Sequence, residues 1–229
     1  MKRFGQHLLI DADDTLWENN IYFERAFHRF CDFLAHSTLN REQVRAALDE
    51  IELVNIQLHG YGAANFGRNM VECYHHLVER EIRAEDAEFI TGIARQIMEH
   101  PLEIIAEVPE TLAYLAGRHD LLLVTKGNEE EQRNKVEASG LRDYFREVVV
   151  LREKDTPAYT RVAGEFQLVL ARSWMIGNSP KSDINPALAA GLQAVYVPHP
   201  RTWHLEREPV PARDGLLQLE SFGALRDYF

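Results

Sequence analysis

The chain has 229 residues and a formal net charge of −11; 45% of its residues are hydrophobic and 27% are charged. This composition is typical of a globular protein and excludes a disordered chain, and the length allows one core domain that carries a smaller inserted one. The acidic excess repels nucleic acid phosphates and anionic lipid, so we expect neither a nucleic acid polymer nor a membrane as a partner.

Two features of the sequence predict the compartment. Cys31 and Cys73 lie far apart and form no CxxC pair, so we expect free thiols in a reducing environment. The apolar run Leu8–Ile10 is too short for the core of a signal peptide, and no stretch approaches the length that spans a bilayer. We therefore expect a cytoplasmic protein.

The first predicted element is a short buried strand, His7–Asp11, which ends in a carboxylate. Residues 18–100 then carry apolar side chains at helical spacing throughout. Breakers separate the segments with this spacing, which are 23–34, 44–51, 70–78 and 89–98. The region is therefore predicted to be an all-helical module.

From residue 101 onward, short apolar runs alternate with amphipathic segments. The runs are Leu121–Val124, Val148–Leu151, Trp174–Ile176 and Ala194–Val197. Strand and helix alternation predicts an α/β fold, in which a parallel sheet is covered by helices on both faces. The simplest architecture is an α/β core made of residues 1–17 and 101–229, with the helical module 18–100 inserted after the first strand.

Polar side chains follow four of the predicted strands. In open parallel sheets, ligands bind beyond the carboxyl ends of the strands. The side chains at these ends are Asp11 and Asp13 after the first strand, Thr125 and Lys126 after the second, Lys154 after the third, and Asn178 and Asp183 after the fourth. Carboxylates, a hydroxyl, lysines and an amide are thus predicted to converge on one edge of the sheet.

These segments resemble, in order, the four motifs of the haloacid dehalogenase (HAD) superfamily. Asp11–Leu16 matches the first motif, DxDx(T/V)(L/V), and Thr125 matches the Thr or Ser of the second. Lys154 matches the third, because Asp155–Pro157 follows it as a helix-start signal. Gly177–Asp183 resembles the GDxxxxD of the fourth. The resemblance implies a Rossmann-like core, and the helical insertion resembles the family's C1-type cap.

The resemblance also implies a reaction. It indicates a hydrolase that removes phosphate from a small-molecule ester through an aspartyl-phosphate. Asp11 is then the nucleophile, and Asp13 is the general acid and base. Thr125 and Lys154 are catalytic groups that bind the phosphoryl oxygens, and Gly127 is a further candidate for substrate binding.

Magnesium is the cofactor that the resemblance implies. This ion prefers hard oxygen ligands, which the candidate residues supply. Its ligands by resemblance are a side-chain oxygen of Asp11, the backbone carbonyl of Asp13 and the side chain of Asn178, with Asp183 in support. The family usually carries Asp where this chain has Asn178. A neutral amide removes a charge from the metal's ligands, so we expect magnesium dependence with reduced affinity.

Two further positions depart from the family pattern. Lys126 stands where relatives often carry Asn; it either adds a cation beside the substrate phosphate or is an exposed surface lysine. Asp14 stands where many members have Gly, and we expect it to be a loop or helix-capping residue.

Three other functions compete with the phosphatase. A metal-independent 2-haloacid dehalogenase shares the nucleophile and the cap, and Asn178 favours it. Asp13 opposes it, because a halide leaving group needs no proton. A catalytically weak binding protein on the same fold is a second alternative, and a phosphomutase is a third. The sequence leaves the substrate and the oligomeric state open.

Overall fold

The computed structural model of the protein describes residues 2–229. The chain forms two compact units. The first contains the chain up to Asn20 together with Leu102–Phe229, and the second contains Ile21–Pro101. The second unit occupies nearly the same stretch as the predicted helical insertion, 18–100.

Six strands form one sheet in the first unit. They are β1 (His7–Ile10), β2 (Asp120–Lys126), β3 (Glu147–Leu151), β4 (Ser173–Gly177), β5 (Gln193–Tyr196) and β6 (Leu216–Gln218). All neighbours pair in parallel, in the order β3-β2-β1-β4-β5-β6. This is the strand order of a doubly wound fold, and the predicted Rossmann-like class is confirmed.

The sixth strand was absent from the sequence-based prediction. It has three residues, Leu216–Gln218, and pairs with β5 at the edge of the sheet. Its side chains are partly or fully exposed. A run this short, with no fully buried residue, carries no periodicity that distinguishes a strand from a loop.

Eight helices accompany the strands in the described chain. They are α1 (Asn20–Leu34), α2 (Arg41–His59), α3 (Ala63–Leu77), α4 (Ala84–Glu99), α5 (Val108–Ala116), α6 (Glu129–Ser139), α7 (Thr156–Glu165) and α8 (Asn185–Ala189). The last four pack on the sheet of the first unit. A π-helical turn, Pro180–Ile184, leads directly into α8.

The alternation of side chains along β1 explains why both faces of the sheet are covered. Leu8 and Ile10 belong to a core on one face, which includes Leu112 of α5. Leu9 points to the other face and joins a separate core, which includes Val162 of α7. Successive side chains of a strand point to opposite faces, so an uninterrupted apolar strand requires helices on both.

The second unit is helical and contains α1 to α4. Its core includes Phe30, Leu48, Met70 and Ile90, none of which is exposed to solvent. A reciprocal capping box fixes the start of α2, because the side chain of Asn40 accepts from the backbone N–H of Gln43, whose own side chain accepts from Asn40.

The two cysteines, Cys31 and Cys73, are free thiols in this unit. Among residues 2–229, no helix combines the length and the apolar composition needed to cross a bilayer.

Candidate active site

The predicted site residues lie at the carboxyl edge of the sheet. Asp11 directly follows β1, and its backbone N–H donates to the carbonyl of Ile176 in β4 at 2.9 Å. Thr125 lies near the end of β2, and Asn178 follows β4. Between β1 and β4 the winding of the sheet reverses, and such a reversal opens a crevice where ligands bind in α/β folds.

Lys154 joins two carboxylates in the centre of this edge. Its ammonium hydrogen-bonds Asp11 Oδ1 and, at 2.7 Å, Asp183 Oδ1. All three side chains are buried. The other oxygen of Asp11 accepts a hydrogen bond from the hydroxyl of Thr15 at 2.9 Å. The structure therefore brings together three residues from three of the four predicted motifs.

The charges of this group are unbalanced, since two carboxylates share one ammonium. Burial, reinforced by the neighbouring Asp183 and opposed by Lys154, raises the pKa of Asp11 to about 7. Burial alone lowers the pKa of a lysine, but the two carboxylates outweigh it and raise the pKa of Lys154. Lys154 is therefore a permanent cation at this edge of the sheet.

Asp13 occupies a different environment from Asp11. Its Oδ1 accepts from the indole N–H of Trp17 at 2.7 Å, and its Oδ2 accepts from the side-chain amide of Gln132 at 2.9 Å. The ammonium of Lys135 lies 3.0 Å from both oxygens. Asp11 and Asp13 are therefore two carboxylates with different hydrogen-bond partners.

Thr125 and Gly127 frame the loop that follows β2. The Thr125 hydroxyl is buried and donates to the amide oxygen of Gln132 at 3.2 Å. Gly127 has φ of 141°, a conformation that favours glycine, and a Cβ there would press on Gln132. The N–H of Gly127 donates to the carbonyl of Leu151 at 3.1 Å and so continues the β2–β3 pairing.

Of the two alternatives for Lys126, the exposed surface lysine is wrong, and its place beside a substrate phosphate stays a prediction. Its side chain is only 14% exposed, and its ammonium donates to Glu206 Oε1 and Ser182 Oγ, both at 2.8 Å. Glu153 accepts from the same ammonium at 3.1 Å. Although burial opposes the effect, Lys126 holds the pKa of Glu206 below its usual value. Lys126 therefore ties the end of β2 both to Ser182 in the turn after β4 and to Glu206 in the segment after β5.

Asn178 presents its amide oxygen to the same hydroxyl as Asp11. Thr15 Oγ1 lies 2.9 Å from Asp11 Oδ2 and 3.3 Å from Asn178 Oδ1. The other end of the amide donates to Thr202 Oγ1 at 2.9 Å, which turns the oxygen towards Asp11. Hard oxygen donors and an excess of negative charge meet here, and this donor set fits a magnesium ion.

Asp183 is fixed by a close approach that only glycine allows. A Cβ on Gly177 would overlap the carboxylate of Asp183. Asp183 Oδ2 also accepts from the backbone N–H of Ser179 at 2.9 Å, and only 1% of Asp183 is exposed. The fourth motif therefore needs its glycine for packing as well as its acid for charge.

Asp14 caps the start of α1, as predicted. Its carboxylate accepts from the backbone N–H groups of Asn19 and Asn20 at 2.9 and 3.1 Å. Its φ of 60° lies in the left-handed region, a conformation that favours glycine. With Glu18 and His199 it also forms a cluster whose ligand atoms lie within 4.8 Å of one another, but its oxygens already serve the helix.

Several residues around the predicted ones were not found from the sequence. Thr15 lies inside the first motif, so its place in the sequence could have indicated it. The others, Trp17, Gln132, Lys135, Thr202 and Glu206, carry no motif of their own. Most contact residues far away in the chain, as Lys135 contacts Asp13, and a single sequence contains no signal for such pairs.

Comparison with known proteins gives a family and a fold. Residues 6–191 match the family model for haloacid dehalogenase-like hydrolases. A haloacid dehalogenase-like family hydrolase from Xanthomonas campestris is 33% identical; the match covers 98% of this chain and 94% of that one, with a TM-score of 0.83. A comparison with functionally curated proteins gives no match.

Two more distant structures share the fold. The HAD-hydrolase YfnB from Bacillus subtilis, bound to magnesium, is 16% identical over 98% of both chains, with a TM-score of 0.68. The L-2-haloacid dehalogenase from Xanthobacter autotrophicus is 16% identical over 97% of both chains, with a TM-score of 0.66. Similar folds therefore occur in a magnesium-bound hydrolase and in a dehalogenase.

Proposed function

Because the chain belongs to the haloacid dehalogenase-like hydrolase family, we propose that it is a magnesium-dependent phosphatase that hydrolyses a small-molecule phosphomonoester. The observation that carries the proposal is the second carboxylate, Asp13, held by hydrogen bonds from Trp17, Gln132 and Lys135. An alkoxide leaving group needs a proton, whereas a halide does not. A carboxylate held in this way therefore favours ester hydrolysis.

In the first chemical step, a carboxylate oxygen of Asp11 attacks phosphorus. The bond between phosphorus and the ester oxygen breaks, and the carboxyl proton of Asp13 moves to that oxygen to release an alcohol. Lys154 offsets the charge on the phosphoryl oxygens, and the Thr125 hydroxyl turns from Gln132 to donate to one of them.

In the second step, Asp13 acts as a base. Its carboxylate takes a proton from a water molecule whose oxygen attacks phosphorus, and the acyl-phosphate bond to Asp11 breaks. Inorganic phosphate leaves, and Asp13 is again protonated for the next turnover. The different surroundings of Asp11 and Asp13 support this division of roles.

We assign the magnesium ion to the side chain of Asp11, the backbone carbonyl of Asp13 and the amide oxygen of Asn178, with Asp183 in support. The ion supplies positive charge that offsets the negative charge of the phosphoryl group. The neutral amide at 178 lowers the affinity of the site. Magnesium bound to a protein of the same fold, YfnB, supports this assignment.

Substrate selection is assigned to the helical unit Ile21–Pro101. It follows the first motif in the chain, as the C1-type cap does in the family that the sequence resembles. Its four helices belong to a compact unit with a core of its own. A small substrate is what the resemblance to the capped members of that family implies.

A metal-independent 2-haloacid dehalogenase is the second candidate, and one observation favours it. Asn178 supplies a neutral amide where a metal site gains from a carboxylate, and a dehalogenase shares the fold. Under this alternative, Asp11 attacks carbon and displaces halide, and Asp13 has no proton to transfer. The two candidates differ in their need for magnesium and in the product they release.

Phosphate release from a panel of small phosphate esters tests the proposal. The panel is assayed with magnesium and with chelator, for the wild type, for Asp11→Asn and for Asp32→Asn. Asp32 is an exposed residue of α1 paired with Arg41, so Asp32→Asn is the matched control. We expect release that requires magnesium, is abolished in Asp11→Asn and is unchanged in Asp32→Asn. Chloride release from 2-chloropropionate in the presence of chelator contradicts the proposal.

A further inference from the structure

Asp13 lies in the loop after β1, and three side chains hold it at both of its oxygens. Trp17 donates to Oδ1 at 2.7 Å, Gln132 donates to Oδ2 at 2.9 Å, and Lys135 lies 3.0 Å from each oxygen. Gln132 and Lys135 both belong to α6, where a spacing of three residues places them on the same side of the helix. One face of α6 therefore supplies two of the three side chains that hold Asp13.

Each of the two α6 residues is itself fixed. Gln132 is 3% exposed, and its amide oxygen accepts from the hydroxyl of Thr125 at 3.2 Å. The side chain of Lys135 is 11% exposed, and its ammonium also donates to Asn19 Oδ1 at 2.8 Å. Because these partners hold them, Gln132 and Lys135 impose a position on Asp13.

Gln132 links two parts of the proposed reaction. Its amide nitrogen holds Asp13, and its amide oxygen contacts Thr125, which binds the phosphoryl group in the proposed function. This single side chain therefore fixes the separation between the phosphate-binding hydroxyl and the carboxyl that transfers the proton. A displacement of about 1 Å between such groups costs on the order of 100-fold in rate.

We propose that Gln132 and Lys135 are positioning residues for Asp13, and that they adapt the site to alkyl phosphates, whose leaving alkoxides need a proton. The inference rests on the proposed phosphatase function. It concerns the delivery of the proton to the ester oxygen, a step that matters little for leaving groups that are stable as anions. The two residues therefore affect the rate in proportion to the basicity of the leaving group.

Two synthetic phosphate esters of similar size test whether the effect of each variant depends on the basicity of the leaving group. Benzyl phosphate releases a strongly basic alkoxide, and p-nitrophenyl phosphate releases a weakly basic phenolate. We expect Lys135→Met and Gln132→Met to lower kcat/KM for benzyl phosphate by about 10-fold to 100-fold. The ratio kcat/KM is the readout because it reports the first step, before Asp13 acts as a base in the step that both esters share. For p-nitrophenyl phosphate we expect a loss of no more than about threefold, because general acid catalysis contributes little there.

The matched control is Arg133→Met. Arg133 lies on the same helix, and its side chain is 52% exposed and paired with Glu129. This variant removes a cation from α6 as Lys135→Met does, and we expect it to leave both esters unaffected. Lys135→Arg keeps the charge, and we expect it to restore part of the benzyl phosphate activity. Thermal unfolding of each variant identifies any loss of folded protein.

Asp13→Asn serves as the reference for a lost proton donor. We expect it to show the same selective loss on benzyl phosphate, and to mask any further selective effect of Lys135→Met in the double variant. If Asp13→Asn is selective but Lys135→Met and Gln132→Met reduce both esters equally, the positioning role is contradicted while the proposed function stands. If Asp13→Asn itself reduces both esters equally, the acid role fails and the inference fails with it.

Discussion

Two buried carboxylates, one in each unit of the protein, have pKa values shifted in opposite directions. Asp86 in the helical unit is 2% exposed and Asp11 in the α/β unit is 6% exposed. Both bind a cationic side chain. Hydrogen bonds from Arg80 hold the pKa of Asp86 well below its usual value against the effect of burial, whereas burial raises the pKa of Asp11 to about 7.

Burial weighs more heavily on the charge of Asp11, and Asp86 has more hydrogen-bond donors. Asp86 accepts two hydrogen bonds from Arg80 at 2.8 and 2.9 Å, one from Tyr74 at 2.8 Å and one from the backbone N–H of Arg83 at 2.9 Å. Asp11 shares its one ammonium, Lys154, with Asp183. A carboxylate with its own complete set of hydrogen-bond donors stabilises the fold. A carboxylate that shares its one cation with a second carboxylate is available for a ligand.

The largest expected effect separates the two carboxylates by activity. Asp11→Asn removes the proposed nucleophile, and we expect a loss of phosphatase activity of about 10⁴-fold or more. Asp86→Asn lies in the other unit, and we expect kcat/KM to stay within about twofold of the wild type. Steady-state phosphate release at saturating magnesium measures both. A comparable loss of activity in the two variants would contradict the separate roles of Asp11 in catalysis and Asp86 in folding.

The raised pKa of Asp11 predicts competition between protons and magnesium. Below pH 7 the carboxyl is increasingly protonated and is a poor ligand, so the magnesium concentration for half-maximal activity rises as the pH falls. With a pKa of about 7, we expect a rise of about tenfold from pH 8 to pH 6. Magnesium titrations at the two pH values check this. An equal magnesium requirement at both contradicts the assigned protonation of Asp11.

A smaller change in the magnesium requirement is expected when a carboxylate replaces the Asn178 amide beside Asp11. Asn178→Asp adds one negative charge to the proposed metal ligands. An additional charge interaction of about 1 kcal/mol corresponds to about a fivefold lower magnesium requirement. The measurement is the magnesium concentration for half-maximal phosphate release at pH 8. Thr202→Val, which removes the hydrogen-bond partner of the Asn178 amide group, is the control for disturbance of the loop. An unchanged magnesium requirement in Asn178→Asp contradicts the ligand assignment.

Asp86→Asn, for which we expect the weakest effect on activity, is expected to have a clear effect on thermal stability. Because the pKa of Asp86 is lowered in the folded state, its contribution to stability is present above the unfolded-state pKa and is lost as the pH falls through the folded-state pKa. Asp86→Asn is therefore expected to lower Tm at pH 7, by a difference that shrinks below about pH 4. Thermal unfolding across this range tests it, with Asp32→Asn as the exposed control. A difference in Tm independent of pH contradicts the assigned role.

The sequence predicts much of the fold because the decisive signals are local. Helical spacing in residues 18–100 and apolar runs at four later strands follow from burial of one helix face or of both strand faces. Asp11, Thr125, Lys154 and Asn178 follow strands, and the ends of parallel strands meet at one edge. Their convergence was therefore predictable without knowledge of any contact.

The surroundings of these residues were not predictable, because they depend on contacts between distant segments. Lys126 illustrates this: its neighbours in sequence are compatible with a surface position, and only the packing of Glu206 against it shows that it is buried. Lys135 and Gln132 lie in a helix with a strongly polar composition, and nothing in that pattern distinguishes the side that faces Asp13.

The most direct test of the phosphatase account asks whether Asp11 accepts a phosphoryl group, without any choice of substrate. Beryllium trifluoride mimics a phosphoryl group on a carboxylate, and fluorine NMR detects the bound form. With magnesium, we expect a bound signal in the wild type that disappears on addition of chelator and is absent from Asp11→Asn. A folded wild-type protein that gives no bound signal, or an Asp11→Asn variant that gives the same signal, would contradict an aspartyl-phosphate mechanism at Asp11.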